Sequence, residues 1–529
     1  MTSGGEAVVR ALAAAGVELV FGIPGTHTLP IHRHLTAAGI RHVTPRHEQG
    51  GGYAADGYAR VSGRPGVVVA TSGPGVINTA TPAATAYADS VPLLIVSPAM
   101  PTGVEGRDTG YLHESKDQGG AMDALVAWSR RARSPGDAAE AVEEAFAAFA
   151  AGRPRPVHVD VPLDVLEAEE EVAARSPAAA ARAPVDVTAA SAALAGAQRP
   201  ALVLGGGARG AAQAATALAE RLGAPVVTTV NGKGIVDERH PLSLGASIRL
   251  PAAQEWLAGR DVVLAVGTEL GESDLWRPPP LELGGRLVRV DVDPGQLHKN
   301  ARADVAVAGD ARTVLEALLA AAPDRPPTDV AEAAHAGGAP DLAAAREAIR
   351  AEALADGAPW LGLMAALDEA LGPDGVLAGD STMAAYHGAV HFLPIGPSRR
   401  FIYPTGYATL GYALPAAIGA KLAAPERPVI ALVGDGGLLF TVGELALAAE
   451  LGLPLPVVVP NNRGYGEIRH QMVDAGIDPV GVDLRVPDLP ALGVAFGGAG
   501  VRVDDPAELG AALRDALARP GPTVIEIPA

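Results

Sequence analysis

PVIALVGDGGLLFTVGELALAAELGLPLPVVVPNNRGYGE, residues 428–467, joins a short apolar run, a glycine-rich acidic turn, a helical pattern and a second apolar run ending in two amides. Residues 429–433 are apolar without alternation and bounded by turn residues, the pattern of a strand covered on both faces of a parallel sheet. After Gly434, Asp435, Gly436 and Gly437, a helical repeat is carried by Leu438, Leu439, Val442, Leu445, Ala446 and Ala449. The second run, 455–459, is expected to stop at Pro460 and deliver Asn461 and Asn462. Both polar ends then emerge at the carboxyl edge of one sheet, where open α/β sheets bind ligands.

Asp435 offers a carboxylate and Asn462 a side-chain carbonyl, hard oxygen donors suited to Mg2+ or Ca2+. The glycines expose main-chain groups and the helix start adds free N–H donors, so a metal-bridged diphosphate would be well held. A β-turn and an Asn-rich cap without a ligand is the plain alternative, weakened by the Asn pair after a second strand. The stretch resembles the cofactor motif of thiamine-diphosphate enzymes, the superfamily of acetohydroxyacid synthases, pyruvate oxidases and 2-oxo-acid decarboxylases. That resemblance implies an α/β fold of three domains with parallel central sheets flanked by helices. It also implies that Asp435, Asn462 and the Gly464 carbonyl hold Mg2+ and, through it, the diphosphate, with Tyr465 beside the cofactor.

A chain of 529 residues exceeds what one core supports and suggests roughly two to four domains. The formal charge of -19 argues against nonspecific nucleic-acid binding. With no cysteine, thiolate nucleophiles and sulfur-ligated metals are excluded. The N-terminus lacks a basic region followed by an apolar core, and no apolar run reaches membrane length, so a cytoplasmic location is expected.

In the first domain, expected over 1–166, strands are read at 17–21, 42–44, 67–70, 93–96 and 156–161, with a helix over 29–38. Strand–helix alternation argues a parallel, doubly covered sheet. Glu48, within RHEQGGGYAADGYAR, would by itself be a surface group or helix cap. The resemblance makes it the glutamate facing the pyrimidine ring of the cofactor, where a shielded carboxyl hydrogen-bonds a ring nitrogen. Gly25 ends the first strand's turn. The loop Thr71-Ser72-Gly73-Pro74-Gly75-Val76-Ile77-Asn78, otherwise a glycine-rich turn, resembles the family's segment near the pyrimidine and the subunit contact, which brings in Ser72 and Asn78. Family sites form between the first domain of one chain and the last domain of its neighbour, so a homodimer is the smallest expected unit, with a tetramer as the alternative. The polar island 110–118 precedes an apolar helix expected over 121–128. It falls where the family carries an active-site loop, with His113 and Gln118 facing substrate, and it departs from the Phe-Gln-Glu version of acetohydroxyacid synthases.

A linker is expected over 167–189 and another over 323–340, on composition. Between them, a central α/β unit (186–322) opens with Leu202-Val203-Leu204-Gly205-Gly206-Gly207, a poor match to a dinucleotide fingerprint. By resemblance such domains bind flavin or nucleotide in some members and nothing in others; Arg209 and Thr268 are the candidate contacts, and FAD is left open.

The last domain, 341–529, adds Ser381 and Thr382 after a strand, as diphosphate ligands or a helix cap. Residues 408–420 resemble the segment whose large apolar residue props the cofactor in a bent shape; Leu410 takes that place, next to Thr409. Residues 465–472 are expected as a helix or lid. Acetohydroxyacid synthases carry a tryptophan there and this segment has none. With HVTPRHEQG and GIDPVGVD, it looks closer to decarboxylases of 5-guanidino-2-oxopentanoate; Glu467 or Glu114 is then a candidate to pair with the guanidinium, a solvated carboxylate being the plain alternative for either. The reading is therefore non-oxidative decarboxylation of a 2-oxo acid to an aldehyde and CO2. Its rivals are an acetolactate-forming or acyloin-forming carboligase and, with less support, a nicotinamide oxidoreductase or a noncatalytic interaction subunit.

Overall fold

The computed structural model describes residues 1–172, 184–322 and 340–529. Its architecture is three all-parallel sheets, each flanked by helices. The first has the order Arg41–Val43, Leu19–Phe21, Gly66–Val69, Leu93–Ala99, Val157–Pro162, Ser129–Arg131. The second runs Val226–Thr228, Pro200–Leu204, Val262–Val266, Arg286–Asp291, Val305–Ala308. The third runs Arg400–Ile402, Val376–Gly379, Val429–Leu432, Leu455–Asn461, Pro522–Pro528, Ala499–Arg502. The central strands are buried along their whole length, which is why they read as continuous apolar runs.

Residues 173–183 of the first expected linker and 323–339 of the second lie outside the described residues. At the edge of the first, Glu169–Glu170 pairs antiparallel with Thr2–Ser3, and a helix begins at Thr188. Two local expectations need correction. The strand at 455 does not stop at Pro460 but continues to Asn461, paired with Pro522–Pro528. On its other side, pairing with Val429–Leu432 ends at Val458, so the missing N–H of Pro460 faces no partner strand. The helix expected over 121–128 instead spans Gln118–Asp123, started by Asp117, whose side chain accepts from the Gly120 N–H.

The first and last sheets share one hydrophobic core, running from Phe21 and Ile95 through Tyr53 and Tyr412 to Val429 and Val457. It is joined by the Glu48–Ser62 helix packing on the Ala413–Ala423 helix. Glycine permits the approach: a Cβ on Gly419 would lie 1.8 Å from the Ala54 carbonyl oxygen, and one on Gly57 would lie 2.1 Å from that of Ala416. Inside this contact, Arg60 pairs with Asp56 at 2.6 Å and Asp89 at 2.8 Å, and the Tyr412 hydroxyl donates to Asp56 at 2.5 Å.

Candidate functional site

At the carboxyl edge of the first sheet, Glu48 opens its helix after His47, whose Nδ1 accepts from the Gln49 N–H at 3.1 Å. Glu48 is 8% exposed and accepts from Asn78 Nδ2 at 3.0 Å. A Cβ on Gly75 would stand 3.3 Å from its other oxygen, so the loop glycine leaves room for the carboxylate. Gly25 approaches the same loop: its N–H donates to Thr28 Oγ1, and a Cβ there would lie 2.9 Å from Thr71 Oγ1, itself buried without a partner. Ser72 Oγ sits 2.6 Å from His27 Nδ1 and 3.4 Å from His113 Nδ1. Burial, then the neighbouring His113, lowers the His27 pKa. His27 was not among the expected site residues; only its meeting with a loop 45 positions away marks it out.

Gln118, expected to face substrate, is tied into the fold at both ends of its amide. Its Oε1 accepts from the Gly73 N–H at 2.7 Å, and its Nε2 donates to Asp160 Oδ1 at 2.7 Å, Pro98 O at 3.0 Å and Ser97 Oγ at 3.1 Å. The amide is engaged within the protein and clamps the glycine loop to the sheet. Glu114 is similarly turned on its own loop, with Oε2 accepting from the Thr109 and Tyr111 N–H groups and the Thr109 hydroxyl.

At the carboxyl edge of the last sheet, Gly434 caps a helix whose first residue is Asp435. Asp435 is 1% exposed and its Oδ2 has no partner; burial raises its pKa against the N–H groups of Gly436, Gly464 and Asn462. Ser381 Oγ, beside the Tyr403 side chain, is a second buried oxygen that completes no hydrogen bond among the described residues. Thr382 Oγ1 would lie 3.2 Å from a Cβ on Gly434, and the Tyr465 ring edge 2.8 Å from one on Gly436. A Cβ on Gly437 would stand 3.2 Å from Asp380 Oδ1. Gly464 packs on the Val482 carbonyl, which accepts from the Tyr465 N–H at 2.9 Å.

Asp380, which the sequence did not single out, organises this edge. Fully buried, it accepts from the N–H groups of Ser381 at 3.0 Å, Gly411 at 3.2 Å and Ala413 at 2.9 Å, and burial pushes its pKa up to about 6. It thereby fixes the turn bearing half-buried Leu410, flanked by Ala408 at φ 49° and Gly411 at φ 81°. Thr409 Oγ1 meets Tyr53 OH at 2.7 Å, tying that turn to the Glu48 helix. A second tie is Glu444, whose Oε1 accepts from the N–H groups of Arg46 at 2.9 Å and His47 at 3.1 Å. Glu48 and Asp435 themselves share no hydrogen-bond partner among the described residues.

Glu467 lies in the first turn of the Gly466–Asp474 helix, its carboxylate accepting from Tyr386 OH at 3.0 Å and Gln471 Nε2 at 2.9 Å. In the middle sheet, Arg209 donates to the Asn231 carbonyl at 2.6 Å, and Thr268 Oγ1 donates to Asp274 at 3.1 Å while accepting from the Leu270 N–H.

The last-sheet edge fits a diphosphate and a hard cation. It offers two buried oxygens that complete no hydrogen bond among the described residues, glycines where a Cβ would collide, and oxygen donors from carboxylate, amide and main chain. Among the described residues no three His, Cys, Asp or Glu side chains cluster, so a cation there would rely on one carboxylate with amide and carbonyl oxygens.

Three family models match in chain order: the thiamine pyrophosphate enzyme N-terminal TPP binding domain over residues 2–121, the central domain over 187–318, and the C-terminal TPP binding domain over 378–527. A probable 2-ketoarginine decarboxylase of Pseudomonas aeruginosa is 46% identical, covering 99% of this chain and 93% of that protein. The acetolactate synthase large subunit of Parasynechococcus marenigrum is 34% identical over 99% of this chain and 87% of its own. Isozyme 3 of the same subunit from Escherichia coli is 32% identical, over 98% and 92%.

Proposed function

The chain belongs to the thiamine pyrophosphate enzyme family, and on that premise we propose that it decarboxylates 5-guanidino-2-oxopentanoate to 4-guanidinobutanal and CO2. The observation that carries this substrate is the 46% identity to the probable 2-ketoarginine decarboxylase, against 34% and 32% to the acetolactate synthases at similar coverage. Thiamine diphosphate, when bound, supplies a carbon nucleophile and an electron sink that side chains do not offer.

The chain's own residues bind and orient. Asp435, Asn462 and the Gly464 carbonyl would hold Mg2+, and Ser381, Thr382 and the main chain of Gly434, Gly436 and Gly437 would receive the diphosphate, beside the Tyr465 ring that packs on Gly436. Leu410 is the apolar prop. Glu48, shielded and held by Asn78, carries a proton at its carboxyl toward the pyrimidine, beside Gly25 and Ser72. His113, with His27 through Ser72, lines the substrate side of that edge, and Gln118 supports it from behind. We assign no step to a flavin. The active unit is a homodimer in which Glu48 of one protomer serves Asp435 of the other.

The acetolactate synthases among the relatives support carboligation as the second reading. Product analysis with one 2-oxo acid donor and several acceptors separates the two. Free aldehyde in step with CO2 is expected, and stoichiometric acyloin without aldehyde would sink decarboxylation as the main activity.

A further inference from the structure

Two side chains from loops on either side of the Val429–Leu432 strand meet above it. Tyr386 lies on a π-helical turn, Ala384–Ala389, that follows the Val376–Gly379 strand; Glu467 follows the Leu455–Asn461 strand. Single π turns inside helices recur at functional sites. Each sits within a few residues of the expected diphosphate and metal groups: Tyr386 after Ser381 and Thr382, Glu467 after Asn462 and Gly464. The two segments touch there as well, since a Cβ on Gly466 would lie 2.3 Å from Asn462 Nδ2 and 3.6 Å from Met383 Sδ.

The Glu467 carboxylate is held by neutral donors alone, one on each oxygen. A carboxylate offers about four lone-pair positions, so one on each oxygen stays free. Among the described residues no Lys, Arg or His lies within ion-pair distance of it; the nearby His387 has its pKa lowered, chiefly by burial, and adds little positive charge at neutral pH. Burial and Glu467 itself push the Tyr386 pKa up, which keeps its hydroxyl a donor. Trp276, from the middle domain, meets Tyr386 and His387 edge-on with ring centroids 6.0 Å away in each case, and the residue is 49% exposed. Arg249 lies over one face of that indole at 4.1 Å, a stacking of guanidinium on the ring.

We propose that Glu467 is the guanidinium-binding pole of the substrate pocket, with Tyr386 as its positioning residue and Trp276 as the aromatic wall. The inference rests on the guanidino-acid reading above and deepens it. A planar guanidinium presents parallel N–H groups matched to the two free carboxylate positions. Glu114 is the rival carboxylate: three donors of its own loop take its Oε2, while its Oε1 has no partner among the described residues, so Glu114→Gln is measured beside Glu467→Gln and should leave the guanidino-to-neutral ratio near wild type.

The test compares kcat/KM for 5-guanidino-2-oxopentanoate with that for uncharged 2-oxohexanoate in the holoenzyme, Glu467→Gln and Tyr386→Phe. It is paired with calorimetric titration of the unreactive 4-guanidinobutanoate against butanoate. Glu467→Gln should lower the guanidino-to-neutral ratio about 100-fold, since a site built to pair with a charge loses most when that pairing goes. Tyr386→Phe should lower it about tenfold, chiefly through KM, and both variants should bind 4-guanidinobutanoate more weakly with little change for butanoate. A wild type that prefers the guanidino acid, with variants whose ratio and binding stay put or whose two substrates fall in step, overturns the pole while leaving the substrate reading intact. A wild type without that preference overturns both.

Discussion

Glu48 shows how a shielded carboxyl can be prepared by its neighbours: it is nearly buried, held by Asn78 and left space by Gly75. Glu48→Gln keeps shape and burial but removes the titrating proton, so turnover should fall about 10²- to 10⁴-fold, with Mg2+-dependent thiamine diphosphate affinity near wild type by calorimetry. Wild-type turnover would remove the assigned role. Glu444 makes a different prediction. Burial raises its pKa from 4.5 to about 7, only partly opposed by the N–H groups of Arg46 and His47. The folded-state pKa is raised, so its contribution is full below the unfolded value and is lost as pH climbs through about 7, on the order of 3 kcal/mol across that window. Glu444→Gln should therefore gain stability relative to wild type between pH 5 and 8 in the cofactor-free protein, read by denaturant midpoints; a pH-independent difference would contradict it. Glu48 and Asp435 could be singled out because their motifs are local in sequence. Asp380, His27 and Glu444 could not, since their roles appear only when segments 31, 45 or nearly four hundred positions apart fold together.

Among the elements, apolar runs flanked by turn residues located most of the central strands, because a strand buried on both faces leaves little choice of residue; the edge strands Ser129–Arg131, Val305–Ala308, Arg400–Ile402 and Ala499–Arg502, and the inner strand Pro522–Pro528, were not read. Ends were harder. Pro460 looked like a terminator and is tolerated where the neighbouring strand has already stopped pairing. The helical pattern after Asp435 is two helices, Asp435–Thr441 and Glu444–Glu450, although its apolar positions continue across the join. The glycines of the Glu48–Ser62 and Ala413–Ala423 helices mark a packing seam that composition alone does not reveal. Gly419→Ala tests it by sign. Helix propensity favours Ala by about 1 kcal/mol, whereas a Cβ 1.8 Å from the Ala54 carbonyl must push the helices apart, costing about 3 kcal/mol or more. Net destabilisation in chemical denaturation is expected; a raised midpoint would mean that the seam is not tight.

For the whole molecule, the three parallel sheets and their order were readable from strand–helix alternation and the motif positions, and the three matched family models agree with that fold. Assembly is not written in one chain's contacts, yet it has a sharp genetic test. If Glu48 of one protomer serves Asp435 of the other, then dimers pairing Glu48→Gln with Asp435→Ala contain one site with both changes and one site with neither. Random reassortment makes half the dimers mixed, so about a quarter of wild-type activity should return. If each site drew on a single chain, every site in a mixed dimer would carry a change and mixing would restore nothing.

The measurement that bears most directly on the proposed activity is initial-rate CO2 release with thiamine diphosphate and Mg2+ across pyruvate, branched, aromatic and 5-guanidino 2-oxo acids, with products identified by mass. The highest kcat/KM should fall on 5-guanidino-2-oxopentanoate, with one 4-guanidinobutanal formed per CO2. Preference for pyruvate with a ligated acetohydroxy acid as product would contradict it.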